Sequence, residues 1–411
     1  MQEAIGRLLD TFADAWHGAD LERGPDGATF TASEQSRHER ELAAFVDVLS
    51  EESRRSRRGA IRPEAEPRIL GAFRRFAGSA LGWPESHLDA LLSDGFRPAL
   101  QAFPAAARRF DPEIPPAAIY QAARNAITMH CLQRLLGVPV SATPSTLAYS
   151  LLYPYTDNYV DDPSVGMEEK RAFGSRLAER LAGATLEPAG WHETQVFRLV
   201  GTIEGQFERR AHPDIFASLL AIHAAQQRSL LLLHASPPLP AREIVRISFA
   251  KGGASVLADG YLVAGALDPA QAECLFGLGV FLQLRDDLED VGDDRARGLR
   301  TVFSSVDGPL DEPVARALAV GRAVLERLEC FPAPSAAAVR ALMTSSLGLV
   351  LTDAAASSPA RFSAAYLARL EAHSPFRLES LTAQRRRVSR ARGSLTGLLE
   401  TWIGTEGGVR S

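Results

Sequence analysis

Apolar residues recur at helical spacing along nearly the whole chain. The clearest stripes near the N-terminus are formed by Leu8, Leu9, Phe12 and Trp16, and by Leu42, Phe45, Val46 and Leu49. Runs in which β-branched and polar residues alternate, as they do in strands, are scarce. The pattern therefore predicts an all-α protein.

Clusters of glycine and proline divide this pattern into separate helices. They predict loops at 18–33, 57–67, 111–116, 236–240, 307–313 and 331–335. The length of 411 residues would by itself suggest two or three domains. We predict instead one large helical domain over residues 111–411 and an N-terminal helical extension over residues 1–110 that packs on it. The extension either caps the main domain or forms the surface of a homodimer.

Two acidic clusters end apolar helical runs, where charge is costly unless a cation offsets it. The first acidic cluster runs from Asp157 to Asp162 and contains no basic residue; the second runs from Asp286 to Asp294. Residues four apart share a helix face about 6 Å apart along the axis. Carboxylates stacked in this way repel one another unless metal ions lie between them. Hard oxygen ligands that leave room for water and phosphate suit Mg²⁺, so the clusters predict a cage for metal ions and a diphosphate.

The alternative interpretation of each cluster is a solvated helix end. Solvated acids usually alternate with Lys or Arg, whereas the first acidic cluster follows the apolar run that begins at Leu147. Taken alone, Lys251 is typical of a surface lysine, and Gln283 of a partly buried amide bonded to backbone. The two clusters together with these two residues favour a functional site.

The chain resembles the class I isoprenoid synthase superfamily over roughly residues 120–305. The segment from Leu278 to Asp290, with Gln283 ahead of the aspartates, is similar to the second aspartate-rich motif of trans-prenyl diphosphate synthases. Its continuation to Gly298 is similar to the matching helix of squalene and phytoene synthases. The segment from Ala250 to Ala254 is similar to the lysine-threonine-glycine segment of prenyl diphosphate synthases. The first acidic cluster is a variant of the fuller aspartate-rich form.

This resemblance implies an isoprenoid synthase-type helical bundle and assigns roles to the residues that match its motifs. It implies three Mg²⁺ ions, with Mn²⁺ as an alternative, held by Asp157, Asn158, Asp161, Asp162, Asp286, Asp287, Asp290 and Asp294. The residues that it implies are catalytic are Asp157, Asp161, Asp286 and Asp290. The residues expected to hold the diphosphate are Lys251, Gln283, Arg297 and Arg300.

An aromatic run before the first acidic cluster predicts the apolar part of the cavity. Its wall is expected to consist of Tyr149, Leu152, Tyr153 and Tyr155, because ring faces stabilise carbocations. Pro154 lies within this helical pattern. It either bends the helix and aims Asp157 inward, or marks the point at which a helix restarts.

The resemblance implies an enzyme that ionises an allylic prenyl diphosphate, but the sequence leaves the fate of the cation open. The basic pair that follows the first acidic motif in trans-prenyl diphosphate synthases is absent here, which argues against chain elongation. We therefore expect a terpene synthase, a carbon–oxygen lyase. A prenyltransferase, of the elongating or the head-to-head type, is the alternative. A catalytically silent partner subunit is a second alternative, disfavoured because it has no need of intact acidic clusters.

Composition narrows the expected partners and location. The net charge of −5 points to neither nucleic acid nor an anionic membrane. We expect no stable membrane insertion, because no run approaches the ~20 apolar residues of a span. Three widely spaced cysteines suggest reduced thiols, and the N-terminus lacks the features of a signal peptide. The expected location is the cytoplasm.

Overall fold

A computed structural model describes residues 1–23, 29–56, 65–91, 95–162, 164–234, 238–384 and 386–387. This part of the chain contains helices and no strand, which confirms the predicted all-α class. The α-helices in chain order are α1 (Gln2–His17), α2 (Ala32–Ser56), α3 (Ala65–Ala80), α4 (Glu85–Leu91), α5 (Phe96–Phe110), α6 (Pro116–Leu135), α7 (Pro144–Asp161), α8 (Met167–Leu181), α9 (Trp191–Gln206), α10 (Pro213–Ser229), α11 (Leu231–His234), α12 (Ala241–Ala264), α13 (Pro269–Glu289), α14 (Val291–Arg297), α15 (Asp311–Arg327), α16 (Ala333–Ser357) and α17 (Ala364–Ala372). Short 3₁₀ turns occupy Leu328–Cys330 and Pro359–Arg361. The described helix ends agree with the predicted loops, of which residues 24–28, 57–64 and 236–237 lie outside the described residues.

The chain forms two compact units, and their boundaries differ from the predicted one at residue 110. The first unit consists of Met1–Ala19, Asp94–Ser305 and Ala319–Ala336, and the second of Asp20–Ser93, Val306–Leu318 and Ala337–Ser411. The N-terminal helix therefore belongs to the unit that carries both acidic clusters, while C-terminal helices join the second unit. Local sequence patterns do not show this division, because it depends on pairing between segments distant in sequence.

Helix α12 is the central element of the first unit. It packs against α13 and α10 most extensively and also contacts α1, α6 and α7. Its low amphipathicity fits this position: side chains on all of its faces are buried, among them Phe249, Leu257 and Leu262. Trp16 of α1 packs edge-on against Phe249, with 5.8 Å between ring centroids. The helix that carries Lys251 is thus held by the core from several sides.

The second unit has its own apolar core. Helices α2 and α3 pack together, and Phe45 stacks on Phe76 with 5.5 Å between ring centroids. Phe76 in turn lies 6.1 Å from Phe376. Buried Leu381 and Ala356 belong to the same cluster.

Helices α12 and α13 cross at a glycine contact that sets the position of the site. A Cβ atom on Gly279 would lie 2.1 Å from the Gly252 carbonyl oxygen, and one on Gly252 would lie 2.4 Å from the Gly279 carbonyl oxygen. Such distances leave no room for a side chain at either position. The close crossing places Lys251, next to Gly252, opposite Gln283 and the second acidic cluster.

We expect Gly279→Ala to destabilise the protein by at least about 2 kcal/mol, because two helix backbones must move apart to admit the methyl group. The measurement is the urea midpoint of unfolding. Gly205→Ala is the matched control, since a Cβ there meets nothing within 4 Å and Gly205 also lies in a helix. A midpoint for Gly279→Ala equal to that of the control would contradict the close crossing.

Helix α7 runs unbroken through Pro154, so the predicted restart at this proline is wrong. The helix begins at Pro144, where the Thr143 side chain accepts a hydrogen bond from the Thr146 amide at 3.1 Å. It ends at Asp161, one residue before Asp162 at the C-cap. Asp157 therefore lies in the last turn of a single helix.

One segment of the described chain, Pro213–Leu233, has the length and hydropathy of a membrane span. No such run was expected from the sequence. Within the segment, Ile215, Leu219 and Ile222 of α10 are buried, and α10 packs against α12. Apolar helices in protein cores share this composition.

Candidate active site

Two adjoining cavities in the first unit bring parts of both acidic clusters together. The larger, of about 400 Å³, is bordered by Asp286, Gln283 and Lys251. The smaller, of about 70 Å³, is bordered by Asp157 and again by Lys251. Gln226 of α10 lies on both cavities and donates a hydrogen bond to Asp157 Oδ1 at 3.1 Å. Lys251 thus lies between the two acidic clusters.

Tyr153 connects the clusters on the other side. Burial raises the pKa of its phenol, the nearby Asp157 carboxylate raises it further and accepts its hydrogen bond, and the charge of Asp286 adds to the effect. These contributions require that Asp157 on α7 and Asp286 on α13 both lie near one hydroxyl group. Asp157 and Asp286, one acid from each cluster, therefore both lie near the hydroxyl group of Tyr153.

Of the predicted metal ligands in the first acidic cluster, Asp157 alone has a described side chain on the cavities. Asn158 is exposed. Asp162 is exposed as well, and its Oδ1 accepts hydrogen bonds from the Ser164 amide at 2.8 Å and the Ser164 hydroxyl at 2.6 Å. These bonds lower the pKa of Asp162. Asp162 therefore caps the turn after α7, while the side chain of Asp161 lies outside what the structure describes.

The second acidic cluster spans the junction of two helices. Helix α13 ends at Glu289 and α14 begins at Val291, yet the Asp290 amide still donates to the Asp286 carbonyl at 2.9 Å. The Asp294 amide donates to the Asp290 carbonyl at 2.8 Å. The predicted spacing of Asp286, Asp290 and Asp294 therefore holds across the junction.

Burial and mutual repulsion raise the pKa values of these carboxyl groups. Desolvation raises the pKa of Asp294 to about 6, with Asp290 as the next cause. Desolvation is also the largest cause of the raised pKa values of Asp286 and Asp290. A cation among them would oppose these shifts by favouring the ionised forms.

Asp287 is buried behind this cluster. Gln283 Nε2 donates to its Oδ1 at 2.7 Å, whereas Oδ2 has no hydrogen-bond partner among the described residues. Desolvation raises the pKa of Asp287 to about 7, and Gln283 and Lys251 oppose the shift. Gln283 thus holds this carboxyl group in place; it also borders the larger cavity, and its contact with substrate stays a prediction.

The remaining candidate residues divide into those near the cavities and those elsewhere. Arg297 is exposed, but its charge lowers the pKa values of Asp290 and Asp294, so it lies beside the second acidic cluster. Arg300 does not border the cavities described here; its backbone amide donates to the Leu232 carbonyl at 3.0 Å.

Three of the four predicted wall residues line an apolar pocket of about 50 Å³: Tyr149, Leu152 and Tyr153. Tyr155 instead donates a hydrogen bond to Asp111 and packs near Phe110 and Trp191. The prediction for Tyr155 failed because positions 153 and 155 are about 200° apart around a helix.

Sequence reasoning missed several polar residues that border the larger cavity, among them Arg124, Asn125, Gln226 and Asp259. Arg124 of α6 lowers the pKa values of Asp286 and Asp290, so its guanidinium lies near the second acidic cluster. Asp259 is 1% exposed in the middle of α12. A single acid within an apolar helical run was the available signal for Asp259, since such a residue needs a partner.

Among the described residues, no group of three or more His, Cys, Asp or Glu side chains is arranged to hold a metal ion. The magnesium cage therefore stays a prediction. The donors that face the cavities are carboxylate and amide oxygens, the chemistry that Mg²⁺ prefers.

Comparison with known proteins finds similarity at the level of structure alone. No protein-family model matches the chain, and no curated protein matches its sequence. A decaprenyl diphosphate synthase from Rhodobacter capsulatus is similar with 16% identity over 72% of this chain and 96% of that one, at a TM-score of 0.30. A polyprenyl synthetase from Streptomyces coelicolor A3(2) is similar with 13% identity over 72% and 98%, at a TM-score of 0.28. At these identities and TM-scores the two matches assign neither a family to the chain nor a role to any residue.

Proposed function

We propose that this protein is a Mg²⁺-dependent class I isoprenoid enzyme that ionises an allylic prenyl diphosphate. The observation that carries the proposal is the meeting of Asp157, Asp286 and Lys251 on two adjoining cavities. Two acids that face one lysine beside an apolar pocket suit a substrate with a diphosphate head and a hydrocarbon tail. The carboxylates hold metal ions and the lysine contacts the anion directly.

The donor set fits Mg²⁺. The candidate ligands are oxygen donors, and the pKa values of Asp286, Asp290 and Asp294 are raised by burial and by neighbouring acids, as expected of carboxylates that a cation would stabilise. Asp157 would hold the metal from the opposite side. When bound, Mg²⁺ supplies neutralisation of the diphosphate charge that grows as the leaving group departs.

The protein's own residues then act at two ends of the substrate. Lys251 binds the diphosphate from between the acidic clusters, and Gln226 orients Asp157 through its hydrogen bond. Tyr149, Leu152 and Tyr153 line the apolar pocket, whose volume of about 50 Å³ holds only part of the hydrocarbon. The rings of Tyr149 and Tyr153 offer the cation aromatic faces.

A terpene synthase is the favoured activity, because the apolar pocket adjoins a site for one diphosphate. The product is a cyclic or linear terpene. A prenyltransferase is the second candidate, favoured by one specific observation: Arg124 and Arg285 border the larger cavity together with Asp286. The sequence argued against elongation because it lacks the basic pair after the first acidic motif. Arg124 and Arg285 offer basic groups that could bind a second diphosphate instead.

The test separates the two activities. Given Mg²⁺ and geranyl, farnesyl or geranylgeranyl diphosphate alone, we expect release of diphosphate together with a hydrocarbon or terpene alcohol. Added labelled isopentenyl diphosphate should not enter longer prenyl diphosphates. Incorporation of the label without any terpene product would replace the synthase by the prenyltransferase. Absence of diphosphate release with every allylic substrate, with and without isopentenyl diphosphate, would favour the silent partner subunit.

A further inference from the structure

A buried polar network fixes the orientation of one amide on the cavity wall. Asn125 of α6 borders both the larger cavity and the apolar pocket. Its Nδ2 donates to Asp259 Oδ1 at 3.2 Å and to Ser150 Oγ at 3.3 Å. Both acceptors are buried, Asp259 at 1% exposure and Ser150 at 0%. The two amide hydrogens are therefore directed into the protein.

The other end of this amide is left for the cavity. Asn125 Oδ1 accepts no hydrogen bond from the described residues. It is also absent from the buried polar atoms without a partner among these residues, so this oxygen is not buried. An amide carries its partial negative charge on oxygen. Because Nδ2 faces the buried acceptors, this negative end faces the space that the substrate would fill.

Asp259 also borders the larger cavity, but it is almost fully buried and is suited to holding the amide. Burial raises the pKa of Asp259 well above its usual range, and the hydrogen bond from Asn125 opposes the shift. Its Oδ2 is buried and has no hydrogen-bond partner among the described residues. The one described hydrogen bond of Asp259 is the one that it accepts from Asn125. For packing alone, an apolar residue would stabilise this buried position better than an acid.

The location of Asn125 matches the place where the substrate's two ends meet. Tyr153 borders the same two spaces, and its hydroxyl is bonded to Asp157 at the diphosphate end. Arg124, the residue before Asn125, lies near Asp286 and Asp290. The Asn125 oxygen thus lies between the anion-binding groups and the apolar pocket.

We infer that Asn125 is a catalytic residue whose amide oxygen stabilises the allylic carbocation, and that Asp259 and Ser150 are positioning residues that hold this oxygen toward the cavity. The inference rests on the proposed function and adds a residue to it. The substrate's hydrocarbon is uncharged before ionisation and cationic afterwards. A fixed dipole on the wall therefore acts on the transition state far more than on bound substrate.

The experiment compares Asn125→Leu with the parent enzyme. We expect kcat to fall roughly 10- to 100-fold, as for loss of one oriented dipole at a reacting centre. The dissociation constant of an allylic thiolodiphosphate, which binds without ionising, should change less than about twofold. A merely structural role would weaken binding of this analogue and lower the unfolding temperature together with kcat.

Variants of Asp259 test the positioning role. They also provide a second test of the inference if Asn125→Leu does not fold. Asp259→Asn keeps an acceptor for the Asn125 amide and should retain most of kcat, whereas Asp259→Leu removes the acceptor and should lower kcat several-fold with analogue binding unchanged. The double variant Asn125→Leu/Asp259→Leu should be no slower than Asn125→Leu alone, because Asp259 acts through Asn125.

The failures are distinguishable. If the parent releases diphosphate and Asn125→Leu or Asp259→Leu turns over at the parent rate, the role of this network is overturned and the proposed function stands. Additive losses in the double variant overturn the positioning role of Asp259. A parent that releases no diphosphate from any allylic substrate overturns the proposed function and this inference with it.

Discussion

Replacement of Asp157 or Asp286 by alanine is expected to lower turnover at least ~100-fold while leaving the fold intact. Each change removes a carboxylate from the cavity wall, where it would hold metal against the leaving diphosphate, and neither residue is fully buried. The measurement is diphosphate release at saturating Mg²⁺, with circular dichroism as the check on folding.

Asp293→Ala is the matched control for these two changes. Asp293 belongs to the second acidic cluster, but its side chain is exposed and it does not border the cavities described above. Turnover of this variant should stay within about twofold of the parent, the range of a surface change. Near-normal activity of Asp157→Ala or Asp286→Ala would remove the basis of the proposed function.

Lys251→Met is expected to weaken diphosphate binding and slow ionisation, each roughly tenfold or more. Methionine keeps much of the aliphatic stem but removes the cation that lies between Asp157 and the second acidic cluster. The assays are binding of inorganic diphosphate in the presence of Mg²⁺ and the single-turnover rate, with circular dichroism unchanged.

The sequence provides a close control, since Lys170 is its one other lysine. Lys170 lies in α8, outside the residues that border the two cavities, and Lys170→Met should leave both measurements unaltered. If instead Lys251→Met matches the parent while Arg297→Met or Arg300→Met loses diphosphate binding, the arginines after the second acidic cluster hold the diphosphate.

The close approach of α12 and α13 gives these predictions a common physical basis. Gly252 and Gly279 allow the two backbones to meet, and this contact brings Lys251 beside Asp287 and Asp294. The charge of Lys251 opposes the rise that burial causes in the pKa values of these two aspartates. Because of this crossing, a lysine that is ordinary in sequence is proposed to bind the diphosphate.

The sequence by itself determined the helical class, the helix boundaries and the acidic clusters. Apolar residues at spacings of three and four require a helix with a buried face, and glycine and proline mark where helices end. The i,i+4 spacing placed Asp286, Asp290 and Asp294 on one face, and the backbone hydrogen bonds keep that spacing across the junction of α13 and α14. These properties depend on residues close together in the chain.

Only the tertiary structure decided which of the candidate residues meet. Tyr155 differs from Tyr153 by two positions, yet it contacts Asp111 on the opposite side of α7. Asp162 bonds to Ser164 in the turn that follows, although its type and spacing equalled those of a metal ligand. Arg124, Asn125 and Asp259 lie in segments with no motif, and they reach the cavity because α6 and α12 pack against each other. Local periodicity fixes the face of a helix. The groups opposite that face come from other helices, tens to more than a hundred residues away in sequence, and their positions depend on packing.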